Sequence, residues 1–137
     1  MGVVVDTSAI VDLERSRGSL ADVVGALGAE PAVLPAIVLA ELQVGVRLAR
    51  TAARAARRAA QLASLTSRIP IVDFDRGVAD EWATIFADLR RRGQPIPAND
   101  IAVSATARVL DYDVVVGHRD EAHFRRVRGL RVRTLAV

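Results

Sequence analysis

Residues 3–10 read VVVDTSAI. Three consecutive valines favour extended structure, because branched side chains pack well on a pleated surface. A carboxylate, Asp6, lands where that strand should end, and two hydroxyl residues, Thr7 and Ser8, precede the turn into helical pattern. The stretch therefore predicts a strand over 2–6 and a short helix from about Ser8, with Ser8 as its N-cap. Asp6 is left with two roles to fill: helping to cap that helix, or forming one corner of a site.

The same alternation runs outward through the chain. A helix is expected over about 19–28, ending near Gly28. AVLP (32–35) reads as a strand, and Pro35 starts a helix to about residue 49. TAARAARRAAQLASLTSR (51–68) is an alanine-rich helix without a breaker. IPIVDF (69–74) is a strand, followed by a helix from Asp75 to about Arg92 that stops at Gly93. PIPAND (95–100) opens another helix to about 110, DVVVG (113–117) is the fourth strand, and LRVRTLAV (130–137) is the last. Short valine-rich strands separated by helices indicate an α/β fold with a mainly parallel central sheet flanked by helices. No linker, repeat or low-complexity block interrupts the pattern, so residues 1–137 are expected to form a single domain.

Composition narrows the chemistry. Apolar residues make up 51% and charged residues 26%, which suits a packed core and excludes a disordered tail. Cysteine is absent, so disulfides and thiolate metal sites are excluded. All 19 basic residues are arginine, so no reaction that needs a lysine amine is available. The net charge of +3 is modest, but arginine suits bidentate phosphate contacts. The longest apolar run, AVLPAIVLA (32–40), is broken by Pro35 and falls short of the roughly 20 residues of a membrane span. Met1 leads into a strand without a basic lead-in, so a cytoplasmic protein is expected. Neither G-x-x-x-x-G-K nor G-x-G-x-x-G occurs, which removes the common nucleotide cradles.

Ligands of open parallel sheets bind at the carboxyl ends of the strands. Asp6 ends the first strand there, and Asp120, in GHRDEAHF (117–124), follows the fourth. Asp100 sits in the first turn of the helix leading to that strand. Glu41 lies within the helix after AVLP, in an apolar stripe with Ile37, Val38, Val44 and Gly45, where a charge is costly unless compensated.

In the order VVVDTSAI, LAELQVGV, PANDIAVSATA and GHRDEAHF…VRGLRV, the chain closely resembles the PIN-domain family. Within it, the similarity is to the toxin ribonucleases of bacterial toxin–antitoxin pairs, the VapC type, over nearly the whole length. The resemblance implies an acidic site on Asp6, Glu41, Asp100 and Asp120, with Thr7, Ser8 and Asn99 as neighbours. The last motif departs from the family pattern, since His118 stands where a threonine is usual. A set of carboxylates without cysteine makes a hard, oxygen-only site suited to Mg²⁺, with Mn²⁺ as a substitute. Asp6 and Asp100 are the leading direct ligands, with Glu41 and Asp120 completing the site directly or through water, and Ser8 and Asn99 orienting these groups. The implied activity is metal-dependent cleavage of RNA. The implied partners are an antitoxin that covers the site, and a second copy within a homodimer and a larger toxin–antitoxin complex.

Other features read more plainly. Asp75 is expected to cap its helix, Asp73 belongs to a strand end, and Asp111 and Asp113 flank a turn. Asp12 and Glu14 are expected to be solvated, and His118 and His123 to be loop or surface residues. Trp82, Ile85, Phe86 and Leu89 read as core. Arg47, Arg50, Arg54, Arg57 and Arg58 form a basic stripe, either solvated or positioning phosphates. The opposite face, with Ala52, Ala56, Ala59 and Ala63, is smooth enough to pack on the core or on a partner. A phosphoryl-accepting aspartate is disfavoured, because Ser8 holds the place of the second acid such enzymes need. The remaining alternative is a PIN-like module that binds RNA or protein without cutting, for which the loss of an acid would be the expected mark.

Overall fold

The structure, a computed structural model, describes residues 1–16, 25, 27 and 30–135. Five strands form one sheet: β1 (Val3–Val5), β2 (Ala32–Pro35), β3 (Ile71–Val72), β4 (Asp113–Val116) and β5 (Val132–Thr134). Six helices are described: α1 (Thr7–Arg15), α2 (Ala36–Arg47), α3 (Ala52–Arg68), α4 (Arg76–Arg91), α5 (Ala98–Leu110) and α6 (Glu121–Arg125). The strand order is β3-β2-β1-β4-β5, and every neighbouring pair is parallel. The expected α/β fold with a parallel sheet is therefore observed. The helix expected over 19–28 lies outside the described residues.

Strand order explains why β1 is the most apolar. It is the central strand, bonded on one side to β2 and on the other to β4, and Val3, Val4 and Val5 are all fully buried. The chain builds β1, β2 and β3 outward in one direction, then crosses to place β4 on the other flank of β1. A crevice opens at the carboxyl ends of strands where the order reverses in this way. Here that point lies beyond Val5 of β1 and Val116 of β4.

The main core combines these strands with Ile10 and Leu13 of α1, Val38 of α2, Leu62 and Leu65 of α3, Val103 of α5 and Phe124 of α6. A second cluster joins Val78, Ile85 and Leu89 of α4 to Ile101 and Ala105 of α5. Helix α5 thus links both clusters, and its residues 100–106 are buried.

Local capping sets most helix ends. Thr51 accepts a hydrogen bond from the Arg54 N–H, and Asp75 accepts one from the Val78 N–H. The helix expected from Asp75 to Arg92 is observed over Arg76–Arg91, and Gly93 follows with a φ of 66°, a conformation glycine adopts without penalty. Four expectations are corrected. The N-cap of α1 is Asp6 rather than Ser8, because β1 ends at Val5 and the Asp6 carboxylate accepts from the Ser8 N–H. The segment 121–125, read as loop, forms the short helix α6. Ala52, Ala56, Ala59 and Ala63 are exposed, since α3 buries Leu62 and Leu65 instead. Phe86 is 40% exposed and stacks on the Trp82 ring at 5.2 Å rather than entering the core.

Asp75 caps α4 beyond the end of β3, the edge strand of the sheet, two strands from β1. Asp75→Ala should cost about 1 kcal/mol of stability, read from the urea midpoint, while Asp75→Asn should cost little because Asn caps as well as Asp.

Candidate active site

Asp6 stands one residue past β1, its backbone N–H bonded to Val115 O at 2.9 Å. That bond ties the end of β1 to β4 and delivers the carboxylate to the crevice. Asp6 Oδ2 accepts from the Ser8 N–H at 3.0 Å and from the Ser8 hydroxyl at 2.5 Å. The same hydroxyl oxygen accepts from the Gly117 N–H at 2.9 Å. One turn further along α1, Asp12 accepts from the His118 N–H at 3.0 Å. Asp12 is therefore a fastener of the loop after β4, not the solvated residue expected from the sequence.

Asp100 rises from the first turn of α5, where a carboxylate also benefits from the helix dipole. Its Oδ2 lies 2.9 Å from Nδ1 of His123. His123 belongs to α6, whose N-cap is Asp120, so one five-residue helix carries both groups toward Asp100. Glu41, midway along α2, accepts from the Thr7 hydroxyl at 2.8 Å. Its expected apolar stripe is only half covered: Val38 is fully buried, whereas Val44 is 51% exposed.

The four acids act on one another. Burial pushes the Asp6 carboxyl up to about 6; its two Ser8 bonds oppose the rise, and the charges of Asp100 and Glu41 add to it. Burial likewise raises Asp100; His123 opposes the rise, and Asp120 and Glu41 reinforce it. No cation pairs with Asp6 or Glu41 among the described residues. Asp6, Glu41 and Asp100 each give one oxygen to a protein donor, and among the described residues the other oxygen has no partner.

An all-oxygen set with unpaired atoms and uncompensated charge fits a hard divalent cation in its chemistry. As the side chains stand, no three His, Asp or Glu among the described residues are gathered closely enough to hold one.

Not every expected neighbour is brought in. Thr7 and Ser8 each bond to one of the acids, whereas Asn99 is exposed in the first turn of α5. His123 was assigned to the surface by sequence and instead contacts Asp100. Its position three residues after Asp120 was the available signal, because that spacing shares a face once a helix forms. Of the arginine stripe, Arg47 bonds to Gln43 and Arg58 to Gly45 O at 2.7 Å. Arg58, Thr7 and Glu41 share a cavity of about 330 Å³ with Ile10, Leu42 and Leu65.

The family model for the PIN domain matches residues 3–130. Among solved structures, VapBC2 from Rickettsia felis, bound to a promoter DNA fragment, superposes with a TM-score of 0.84 at 21% identity, covering 99% of this chain and 100% of that chain. FitAcB from Neisseria gonorrhoeae gives 0.80 at 27% identity, covering 95% of each chain. VapBC-5 from Mycobacterium tuberculosis, a member of a family of toxin–antitoxin systems, gives 0.73 at 24% identity, covering 100% of each. Curated protein sequences return no match.

The raised Asp6 carboxyl has a measurable consequence. A group held at about 6 in the fold and near 3.8 when unfolded binds its proton more tightly in the folded state. Its contribution to stability is therefore present below 3.8 and is lost as pH rises through 6. Asp6→Asn keeps the cap and removes the charge, so the metal-free variant should melt higher than the wild type at pH 7 and alike at pH 4. The gain at pH 7 is on the order of 2–3 kcal/mol. Equal differences at both pH values would refute the assignment.

Proposed function

The chain belongs to the PIN-domain family, and from that premise we propose that it is a divalent-metal-dependent endoribonuclease, the toxin of a bacterial toxin–antitoxin pair. The observation that carries the reading is the state of Asp6, Glu41 and Asp100: each carboxylate is anchored by one oxygen and open at the other, at the switch point of a parallel sheet.

In this reading Asp6 and Asp100 hold a Mg²⁺ ion, for which Mn²⁺ can substitute, and Glu41 and Asp120 complete the site directly or through water. A bound divalent ion supplies positive charge against a phosphodiester and acidifies water for attack on it. The protein residues hold and orient. Ser8 fixes Asp6 through its hydroxyl, Thr7 fixes Glu41, and the Gly117 N–H fixes Ser8. Asn99, exposed at the start of α5, remains available to a substrate rather than to the acids.

The solved relatives named above support a protein partner. An antitoxin segment would seat apolar side chains in the cavity beside Glu41 and present a cation, an arginine by preference, to the acids. The same reading implies a homodimer within a larger toxin–antitoxin complex, working on RNA in the cytoplasm. Among the described residues, no helix is long and apolar enough to cross a membrane.

Asp6→Asn and Asp100→Asn should each slow cleavage of total RNA in Mn²⁺ by at least about a hundredfold, the scale of losing one group that stabilises reacting charge. Asp75→Asn should cut at the wild-type rate. Full activity in either site variant would sink the site assignment. Coexpression with the protein of the adjacent reading frame should suppress both cleavage and toxicity; tight binding with cleavage intact would refute blocking by the antitoxin.

A further inference from the structure

We propose that His123 is a positioning residue, whose Nδ1 fixes one oxygen of Asp100 and thereby sets the other for a divalent cation; the inference rests on the metal-dependent reading above.

The geometry separates this role from simple support of the fold. Asp100 is 8% exposed, and its backbone is already held by α5, where the Ser104 hydroxyl donates to Asp100 O at 2.8 Å. Helix α6 does not need His123 for its own placement. Phe124, fully buried, and Val127 anchor that segment, and the His123 backbone closes a turn on Asp120 O at 3.0 Å. The imidazole thus spends its Nδ1 on a carboxylate 23 residues away rather than on its own helix. It also does so next to Asp120, whose charge bears on the same Asp100 group.

Two roles for the imidazole give opposite results. As a neutral donor it orders Asp100 and strengthens metal binding, because a ligating carboxylate held by a hydrogen bond loses less freedom when it coordinates. As a cationic counter-charge it would compete with the metal for the same carboxylate. Asp6 and Glu41 are likewise each held at one oxygen by a protein donor, the Ser8 hydroxyl and N–H on Asp6 and the Thr7 hydroxyl on Glu41, and His123 gives Asp100 the corresponding contact.

The test is Mn²⁺ binding by the full-length protein, measured by calorimetry or by loss of the free-ion EPR signal. His123→Ala should weaken Mn²⁺ binding about 10- to 100-fold, the usual cost of losing an outer partner of a metal ligand. His123→Asn, whose amide nitrogen falls near the imidazole Nδ1, should recover most of the affinity, and His123→Gln should not. His123→Asn, which keeps a donor on Asp100, should also keep the metal-free melting temperature of the wild type, whereas His123→Ala should lower it. Mn²⁺ affinity in His123→Ala equal to or tighter than wild type, or an Asn variant no better than Ala, overturns the proposal. If Asp100→Asn itself binds Mn²⁺ normally, the metal site is misassigned and both readings fall. If the affinities follow the expected series while the wild type cuts no RNA, the nuclease reading fails and the role of His123 stands.

Discussion

The hydroxyl of Ser8 sits between the carboxylate of Asp6 and the backbone N–H of Gly117, and the site is built around that bridge. It joins three elements at one point: the end of β1, the first turn of α1 and the end of β4. Its closeness dictates the residue on the far side. A Cβ at position 117 would collide with Ser8 O and with Asp12 Oδ2, so the loop after β4 must start with glycine. Asp12, bonded to the next N–H of that loop, keeps it from swinging away. The path of the chain toward Asp120 and α6 follows from these two contacts.

The bridge also resolves the double reading of Asp6. The carboxylate caps α1 through the Ser8 N–H and, with the same side chain, faces Asp100 and Glu41. Capping is worth about 1 kcal/mol, yet burial beside two other acids raises the carboxyl to about 6. An acid used only as a cap would gain from being exposed, where the same bonds lower its pKa instead of struggling against burial. Asp75 also caps a helix, α4, but from an exposed position. The contrast locates the part of this fold in which a buried carboxylate costs stability.

What could be read from the sequence was whatever is decided locally. Valine runs announced the strands, and Asp75 and Gly93 marked helix ends because caps act within one turn. The order of acids along the chain was also legible, since Asp6 and Asp120 follow strands, Asp100 opens a helix and Glu41 interrupts an apolar stripe. The errors arose where a distant partner decides. Ser8 and Asp6 are both good caps, and only the bond of Asp6 N–H to Val115 showed which one ends the strand. The alanine face of α3 was left between the core and a partner because alanine packs anywhere, and its exposure follows from Leu62 and Leu65, which determine the buried side. Helix α6 is five residues long, too short to show a period, and with it the approach of His123 to Asp100 was hidden.

Charge is distributed in this molecule by a consistent rule. Arginine is its only basic side chain apart from two histidines, and among the described residues six acids outside the crevice pair with it: Glu30 with Arg133, Glu81 with Arg108, Asp88 with Arg92 and Arg128, Asp111 with Arg131, Asp113 with Arg131 and Arg133, Glu121 with Arg125. Asp6 and Glu41 instead bond to hydroxyls, and Asp100 to an imidazole. Among the described residues Asp120 has the exposed Arg119 at 3.8 Å, and Arg58 lines the cavity beside Glu41. An arginine in the crevice would satisfy both oxygens of a carboxylate at once, since its fork matches that geometry. It would cancel the charge and close the site. The donors on Asp6, Glu41 and Asp100 hold each acid by a single oxygen and leave the other without a partner among the described residues, and the two buried acids, Asp6 and Asp100, carry the cost as raised carboxyls.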